Sequence, residues 1–190
     1  MRICLINDTS SCHAGSVKVM DNIKHYLKHH EIVSVVNVCV SGKIDKQIIR
    51  DCDWVVINGE GTIHHNAPWG IELLYALEYG RSIGKTTFLL NTHYEKMDNK
   101  FNNILKGIDH IVARDPWSYK ELVKHNTDTL LAPDFCVLNH VESDKPRQLR
   151  IPKAKTQTHP ASIYNQCFDC CAVPIMSIGL ETSFDKYRKI

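Results

Sequence analysis

A chain of 190 residues with 43% hydrophobic and 23% charged residues has the composition of one ordinary globular domain and is short for two. A net charge of +2 and a pI near 8.1 carry no strong electrostatic footprint for nucleic acid. No stretch approaches the ~18 apolar residues that a membrane span needs, and the N-terminus Met1 to Ile6 lacks the apolar core and cleavage site of a signal peptide, so the chain reads as intracellular and cytoplasmic.

Arg2 to Asn7 is predicted as a first strand, apolar on both faces as parallel sheets require. It runs into a polar loop of small residues, Asp8 to Gly15. A helix over about 16–29 comes next, with Val17, Met20, Ile23 and Leu27 at helical spacing. His29 and His30 are neighbours on a helix and do not face each other, so they read as a solvated face rather than metal ligands. Ile32 to Val40, β-branched almost throughout, is predicted as a second strand, and Ile44 to Arg50 as a short amphipathic helix. Cys4, Cys39, Cys52 and Cys136, four of the eight cysteines, lie in or beside apolar runs and are read as reduced core thiols.

The centre of the chain is the third strand, Trp54 to Asn58, together with the turn after it. The β-branched run breaks at Asn58-Gly59-Glu60-Gly61 and passes Thr62, His64 and His65 into a helix over about 69–83. Gly59 and Gly61 allow positive φ and a close approach to a ligand. Asn66 can cap the helix, Pro68 fits its first turn, and Gly84 can close its far end. The same features also fit a turn whose glycines only relieve strain, and both readings stay open here.

Thr86 to Thr92 is predicted as a fourth strand, leaving through His93. Asp98 can cap a helix holding Phe101, Ile104 and Leu105. His110 to Asp115 is a fifth strand running into Asp115-Pro116, a good cap followed by a good first helical residue. Arg114 at the strand's carboxyl end suits a phosphate or carboxylate ligand, and equally suits a buried pair with an acidic neighbour. Thr129 to Phe135 is a sixth, shorter strand with Asp134 at its end.

Strands alternating with helices over residues 1–140 predict an α/β fold, a doubly wound, mostly parallel, Rossmann-like sheet of about six strands. Ligands on such sheets bind outside the strands' carboxyl ends. Asn7, Asp8, Glu60, His64, His93, Arg114 and Asp134 all fall there. Residues 141–190 read instead as an irregular segment: Glu142 to Lys155 is charged and carries Pro146 and Pro152, and Ala172 to Ile178 is one apolar run. Cys167, Cys170 and Cys171 look like half of a zinc site without its second pair, so no metal is expected.

Three motifs in order, Asn-Gly-Glu-Gly-Thr-Ile-His-His at 58–65, Ala-Arg-Asp-Pro-x-Ser at 113–118 and Ala-Pro-Asp-Phe at 132–135, resemble the N-terminal half of the polysaccharide pyruvyl transferase family over roughly residues 1–138. The resemblance implies one half of a glycosyltransferase B fold. It also implies transfer of a pyruvyl group from phosphoenolpyruvate to sugar hydroxyls as a ketal, with a small anionic donor, a carbohydrate acceptor and no further cofactor. Together with the crevice rule, it places catalysis at His159, Glu60 and Arg114, and substrate binding at Asn7, Asp8, Gly59, Gly61, Thr62, His64, His65, His93 and Asp134.

The family's second Rossmann-like domain has no room in the last fifty or so residues, which read as its remnant. Thr158 to Ile163 resembles the family's Arg-x-His-Ala-like segment, with His159 at the histidine. Thr156 and Gln157 stand where the paired arginine is expected, leaving Arg150, Lys153 or Lys155 to replace it. His159 can equally be an exposed loop histidine. The alternative to an enzyme is a non-catalytic module that binds a sugar, nucleotide or partner; a homo-oligomer whose crevice a second copy completes would instead restore the second wall of the site.

Overall fold

The computed structural model describes residues 1–138, with the side chains of Cys39 and Val40 left aside. The strands and helices alternate in the order β1 (Arg2–Ile6), α1 (Ala14–Tyr26), β2 (Glu31–Val36), α2 (Val38–Ser41), α3 (Lys46–Arg50), β3 (Trp54–Asn58), β4 (Ile63–His64), α4 (Pro68–Ser82), β5 (Thr86–Thr92), β6 (Tyr94–Glu95), α5 (Asn102–Lys106), β7 (His110–Ala113), α6 (Pro116–Leu122) and β8 (Leu130–Leu131). Six strands form an all-parallel sheet in the order β2-β1-β3-β5-β7-β8, and β4 pairs with β6 in a separate two-stranded ladder. This is the Rossmann-like α/β sheet expected from the sequence. The chain splits into two units, Met1–Cys136 and Val137–Ile190, and the sheet with its helices belongs to the first.

Successive residues of the central strands are buried on opposite faces of the sheet. Cys4, Ile6, Val55, Ile57, Leu89 and Ile111 join one cluster with Leu73, Leu74 and Leu77 of α4 and Leu105 of α5. Their neighbours Ile3, Leu5, Val56, Phe88 and Leu90 are equally buried outside that cluster. A sheet buried on both faces needs apolar residues at every position, which is why its strands show no period-two pattern in sequence.

Several local expectations change. The second strand stops at Val36, because β1 offers partners only from Arg2 to Ile6 and the Asp8 amide closes the ladder on the Val36 carbonyl at 2.9 Å. Without a partner, Val38–Ser41 coils into one turn ended by Gly42 at φ +68°. Strand propensity yields there to the absence of a ladder. The sixth strand shrinks to Leu130–Leu131 for the same reason, since its neighbour β7 ends at Ala113. The helix over 16–29 begins at Ala14 and ends at Tyr26, with His13 as its cap.

Asn66 does not cap α4; the cap position is Ala67, and Asn66 instead exchanges hydrogen bonds with Asp98. Asp98 accordingly gives no side-chain cap to the 3₁₀ turn Asn99–Phe101. Gly84 does close α4. At φ +76° its amide bonds the Arg81 carbonyl and the Lys85 amide reaches back to Gly80, the two bonds of a Schellman end. Cys4 and Cys52 are core thiols, but Cys136 is only half-buried, and the Cys39 side chain is not among those described.

Candidate functional site

The strand order reverses at β1. The chain moves outward from β1 to β2, then returns to β3 on the other side, so the loops after β1 and β3 diverge over a crevice at their carboxyl ends. A cavity of about 710 Å³ lies there, its wall drawn from the β1–α1 loop (Thr9, His13, Ser16), the turn after β3 (Glu60, Gly61, Thr62, His64), and Arg114, Asp134 and Cys136.

Asn7 and Asn58 staple the two loops. Asn7, at φ +69°, donates through Nδ2 to the Asn58 carbonyl (2.7 Å) and to Thr62 Oγ1 (3.0 Å). Asn58 Nδ2 in turn donates to the Asn7 carbonyl (3.3 Å) and Thr9 Oγ1 (3.2 Å). Both asparagines are fully buried. Asn7, expected to bind substrate, therefore holds the crevice together from beneath.

The staple positions Glu60. Its Oε2 accepts from the Thr9 hydroxyl at 2.7 Å and Asn58 Nδ2 at 3.4 Å, and its Oε1 from the Ser16 hydroxyl at 3.2 Å. A carboxylate offers about two acceptor sites per oxygen, so Oε1 keeps one for a hydroxyl in the cavity. Ser16 stands in the first turn of α1, where its amide donates to the His13 ring Nδ1 at 3.1 Å. A backbone amide can only donate, so Nδ1 holds a lone pair and the neutral ring carries its proton on Nε2, 3.1 Å from Ser16 Oγ.

Arg114 realises the second of its two readings. Its Nη1 donates to Asp134 Oδ2 at 2.8 Å, with the side chains 23% and 30% exposed. Among the described residues Nη2 has no hydrogen-bond partner, and a Cβ added at Gly61 would lie 4.0 Å from it. Among the described residues the wall carries one guanidinium against the two carboxylates of Glu60 and Asp134. The Cys136 thiol is pushed up to about 11, chiefly by burial and then by Asp134 and Glu60, and stays protonated at neutral pH.

The two glycines differ. Gly61 has φ +55°, as the sequence suggested. Gly59 does not have positive φ; it is needed because a Cβ there would lie 2.4 Å from Thr92 Oγ1. Gly59, Asp8, His65 and His93 are not on the cavity wall. Asp8 pairs with Lys24 at 3.2 Å; burial alone would raise its carboxyl, and the Ser10 and Lys24 contacts outweigh that and hold it below the usual range. His93 bonds Asp115, the side-chain cap of α6. His159 and the Cys167–Cys171 half-site lie outside the described residues. Thr9, His13, Ser16 and Cys136 are wall residues to which the sequence reading gave no binding role. The polar loop of small residues after β1 was the available signal, since the crevice of a doubly wound sheet uses the first strand's loop. Among the described residues no group of three or more His, Cys, Asp or Glu is placed to hold a metal ion, and no helix is long and apolar enough to cross a membrane.

The model of one family, described as polysaccharide pyruvyl transferase, matches residues 13–180. The chain belongs to the polysaccharide pyruvyl transferase family. In this pyruvyl transferase relative the match begins at His13, so it takes in the α1 cap, the Glu60 turn and the Arg114–Asp134 pair, and it extends through His159. No curated protein and no solved structure matches the chain.

Proposed function

We propose that the cavity serves transfer of a pyruvyl group from phosphoenolpyruvate to hydroxyls of a sugar in a glycan. The observation that carries the reading is the Arg114 guanidinium, the one Lys or Arg side chain on the cavity wall among the described residues, within the stretch that the family model matches. Pyruvyl ketal formation requires a proton on the donor's methylene carbon, attack of two acceptor hydroxyls on the adjacent carbon, and departure of phosphate. One hydroxyl proton balances the new methyl group and the other leaves with the phosphate. Arg114 holds the donor's carboxylate or phosphate through Nη2, a task that a planar guanidinium performs better than an ammonium. Glu60 orients an acceptor hydroxyl through the free site on Oε1, and Thr62 and His64 stand beside it. On the family resemblance the methylene proton comes from His159, a residue type that ionises near neutrality.

Isothermal titration of phosphoenolpyruvate into the protein tests this, with Arg114→Ala and His159→Ala as variants. Saturable binding that is weakened in both is expected. Binding that neither substitution touches, or none at millimolar donor, overturns the reading. A binding module without catalysis is the second reading, favoured by the ion pair with Asp134, which already occupies Nη1 of the Arg114 guanidinium. It predicts sugar or anion binding without release of phosphate from phosphoenolpyruvate.

A further inference from the structure

At the start of α4 the chain makes a tight turn over His64–Ala67. The Ala67 amide donates to the His64 carbonyl at 2.8 Å, and the two central residues, His65 and Asn66, have φ +50° and +54°. Two positive φ values in a row are the sign pattern of a type I′ turn, a backbone that glycine and asparagine adopt most readily and that is uncommon for other residues. Such backbone persists where the surroundings over-determine it. Here the His65 amide is tied to the Glu95 carbonyl at 2.9 Å, and Asn66 and Asp98 hold each other by two hydrogen bonds of 2.7 and 2.9 Å.

The turn brings His64 Nδ1 and His65 Nδ1 to 3.2 Å. At that distance one ring nitrogen donates and the other accepts, so the pair shares a proton. His64 stands on the cavity wall, with Nε2 as its remaining ring nitrogen. The His65 side chain is 52% exposed, and its Nε2 lies 3.9 Å from Glu95 Oε1. The other charged groups around the pair are accounted for. Glu95 also faces His93 Nε2 at 3.7 Å and Lys96 at 3.0 Å, His93 Nδ1 faces Asp115 at 3.1 Å, and Asp98 faces Lys100 at 3.3 Å.

We propose that His64 and His65 are a proton exit from the cavity to solvent, carrying away a hydroxyl proton that the acceptor loses as its oxygen bonds to the pyruvyl carbon. The role rests on the transferase reading; the pairing of the two rings does not. In the step, the acceptor hydroxyl gives its proton to His64 Nε2 as the C–O bond forms. His64 Nδ1–H passes its own proton to His65 Nδ1, and His65 releases the proton on Nε2 to water beside Glu95, while solvent returns one proton to the departing phosphate so that the overall balance holds. One proton enters the relay and one leaves, so the pair's charge is unchanged and both rings have exchanged tautomers. His64 meets substrate; His65 is a positioning residue that acts through it.

The test is imidazole ¹⁵N NMR of the full chain across pH, for the parent protein and for His65→Asn, which keeps a side chain that tolerates positive φ, with His65→Gly as a second variant. The expected result is opposite tautomers on the two rings in the parent, with the proton on Nδ1 of His64 and on Nε2 of His65, and a His64 tautomer that changes in both variants. A His64 tautomer unchanged in both overturns the relay. In phosphate-release assays His65→Asn is expected to lower kcat by at least about tenfold with KM retained, and added imidazole to restore it in part. Full kcat in His65→Asn also overturns the relay. Failure of the parent to bind phosphoenolpyruvate overturns the transferase reading instead and leaves the paired tautomers standing.

Discussion

Substituting Gly59 and Gly61 one at a time separates two physical demands within a single turn. Gly59→Ala places a Cβ 2.4 Å from Thr92 Oγ1 and 2.9 Å from both Thr92 Cα and Cβ. Thr92 is fully buried at the end of β5, and Gly59 is bonded on either side of it, to the Leu90 carbonyl at 2.7 Å and from the His93 amide at 3.3 Å. Neither partner can retreat without breaking the β3–β5 ladder. Overpacking costs about 1–3 kcal/mol where side chains adjust, and contact with backbone puts this substitution near the top, about 3 kcal/mol. At about 2–4 °C per kcal/mol for a chain of this size, melting falls by roughly 6–12 °C. Gly61→Ala meets only Arg114 Nη2 at 4.0 Å, and its penalty is the left-handed backbone at φ +55°, about 1–2 kcal/mol. Gly61→Asn costs less, because asparagine accepts that region. Thermal denaturation followed by circular dichroism measures all three, and Thr92→Ala in the Gly59→Ala background recovers part of the loss by removing the hydroxyl contact. A Gly59→Ala protein melting within about 2 °C of the parent, or a Gly61→Ala protein less stable than Gly59→Ala, refutes the reasoning.

Three further outcomes are expected. Burial alone would raise the Asp115 carboxyl, but the Ser118 amide and hydroxyl together with His93 outweigh it and hold it below the usual range. A depressed folded value means that Asp115 contributes stability above the unfolded value of about 3.9 and loses it as pH falls through the folded one. Asp115→Asn should therefore be less stable than the parent at neutral pH, with the gap closing below about pH 4 in denaturant titrations; a constant gap counts against the assignment. Asp134→Asn frees Arg114 Nη1 and removes one negative charge from the wall. Phosphoenolpyruvate should bind about tenfold more tightly at low salt, with the advantage shrinking as salt is added; weaker binding would mean that Asp134 orients the guanidinium rather than competing for it. Cys12 is exposed, whereas Cys136 is held protonated with its thiol near 11. Iodoacetamide at pH 8 should label Cys12 much faster, as peptide mapping by mass spectrometry would read, and equal rates would contradict that environment.

The strands β1, β3, β5 and β7 were legible because each is a short apolar run bounded by polar or turn residues. The Asp115-Pro116 start of α6 and the Gly84 end of α4 were legible because caps are local chemistry. The residues at the carboxyl ends of those strands came from one topological rule, which located Glu60, Arg114 and Asp134 beside a crevice before their contacts were known. The lengths of β2 and β8 were not legible, since the sequence of Ile32–Val40 favours a strand throughout and only the length of β1 ends it at Val36. Nor could spacing tell that Gly59 is required by Thr92, thirty-three positions away, while Gly61 is required by its own φ. The amino-acid sequence by itself thus determined the main strands and helices, their order and the family, but not the short turn α2 or the β4–β6 ladder. Tertiary structure alone decided which polar residues line the cavity and which hold it together: Asn7 and Glu60 looked alike as polar residues at strand ends, and the fold buries one as a staple and turns the other toward the cavity. The physical reason is that an element's type depends on its own side chains, whereas a side chain's role depends on the partner that the reversal of strand order brings beside it.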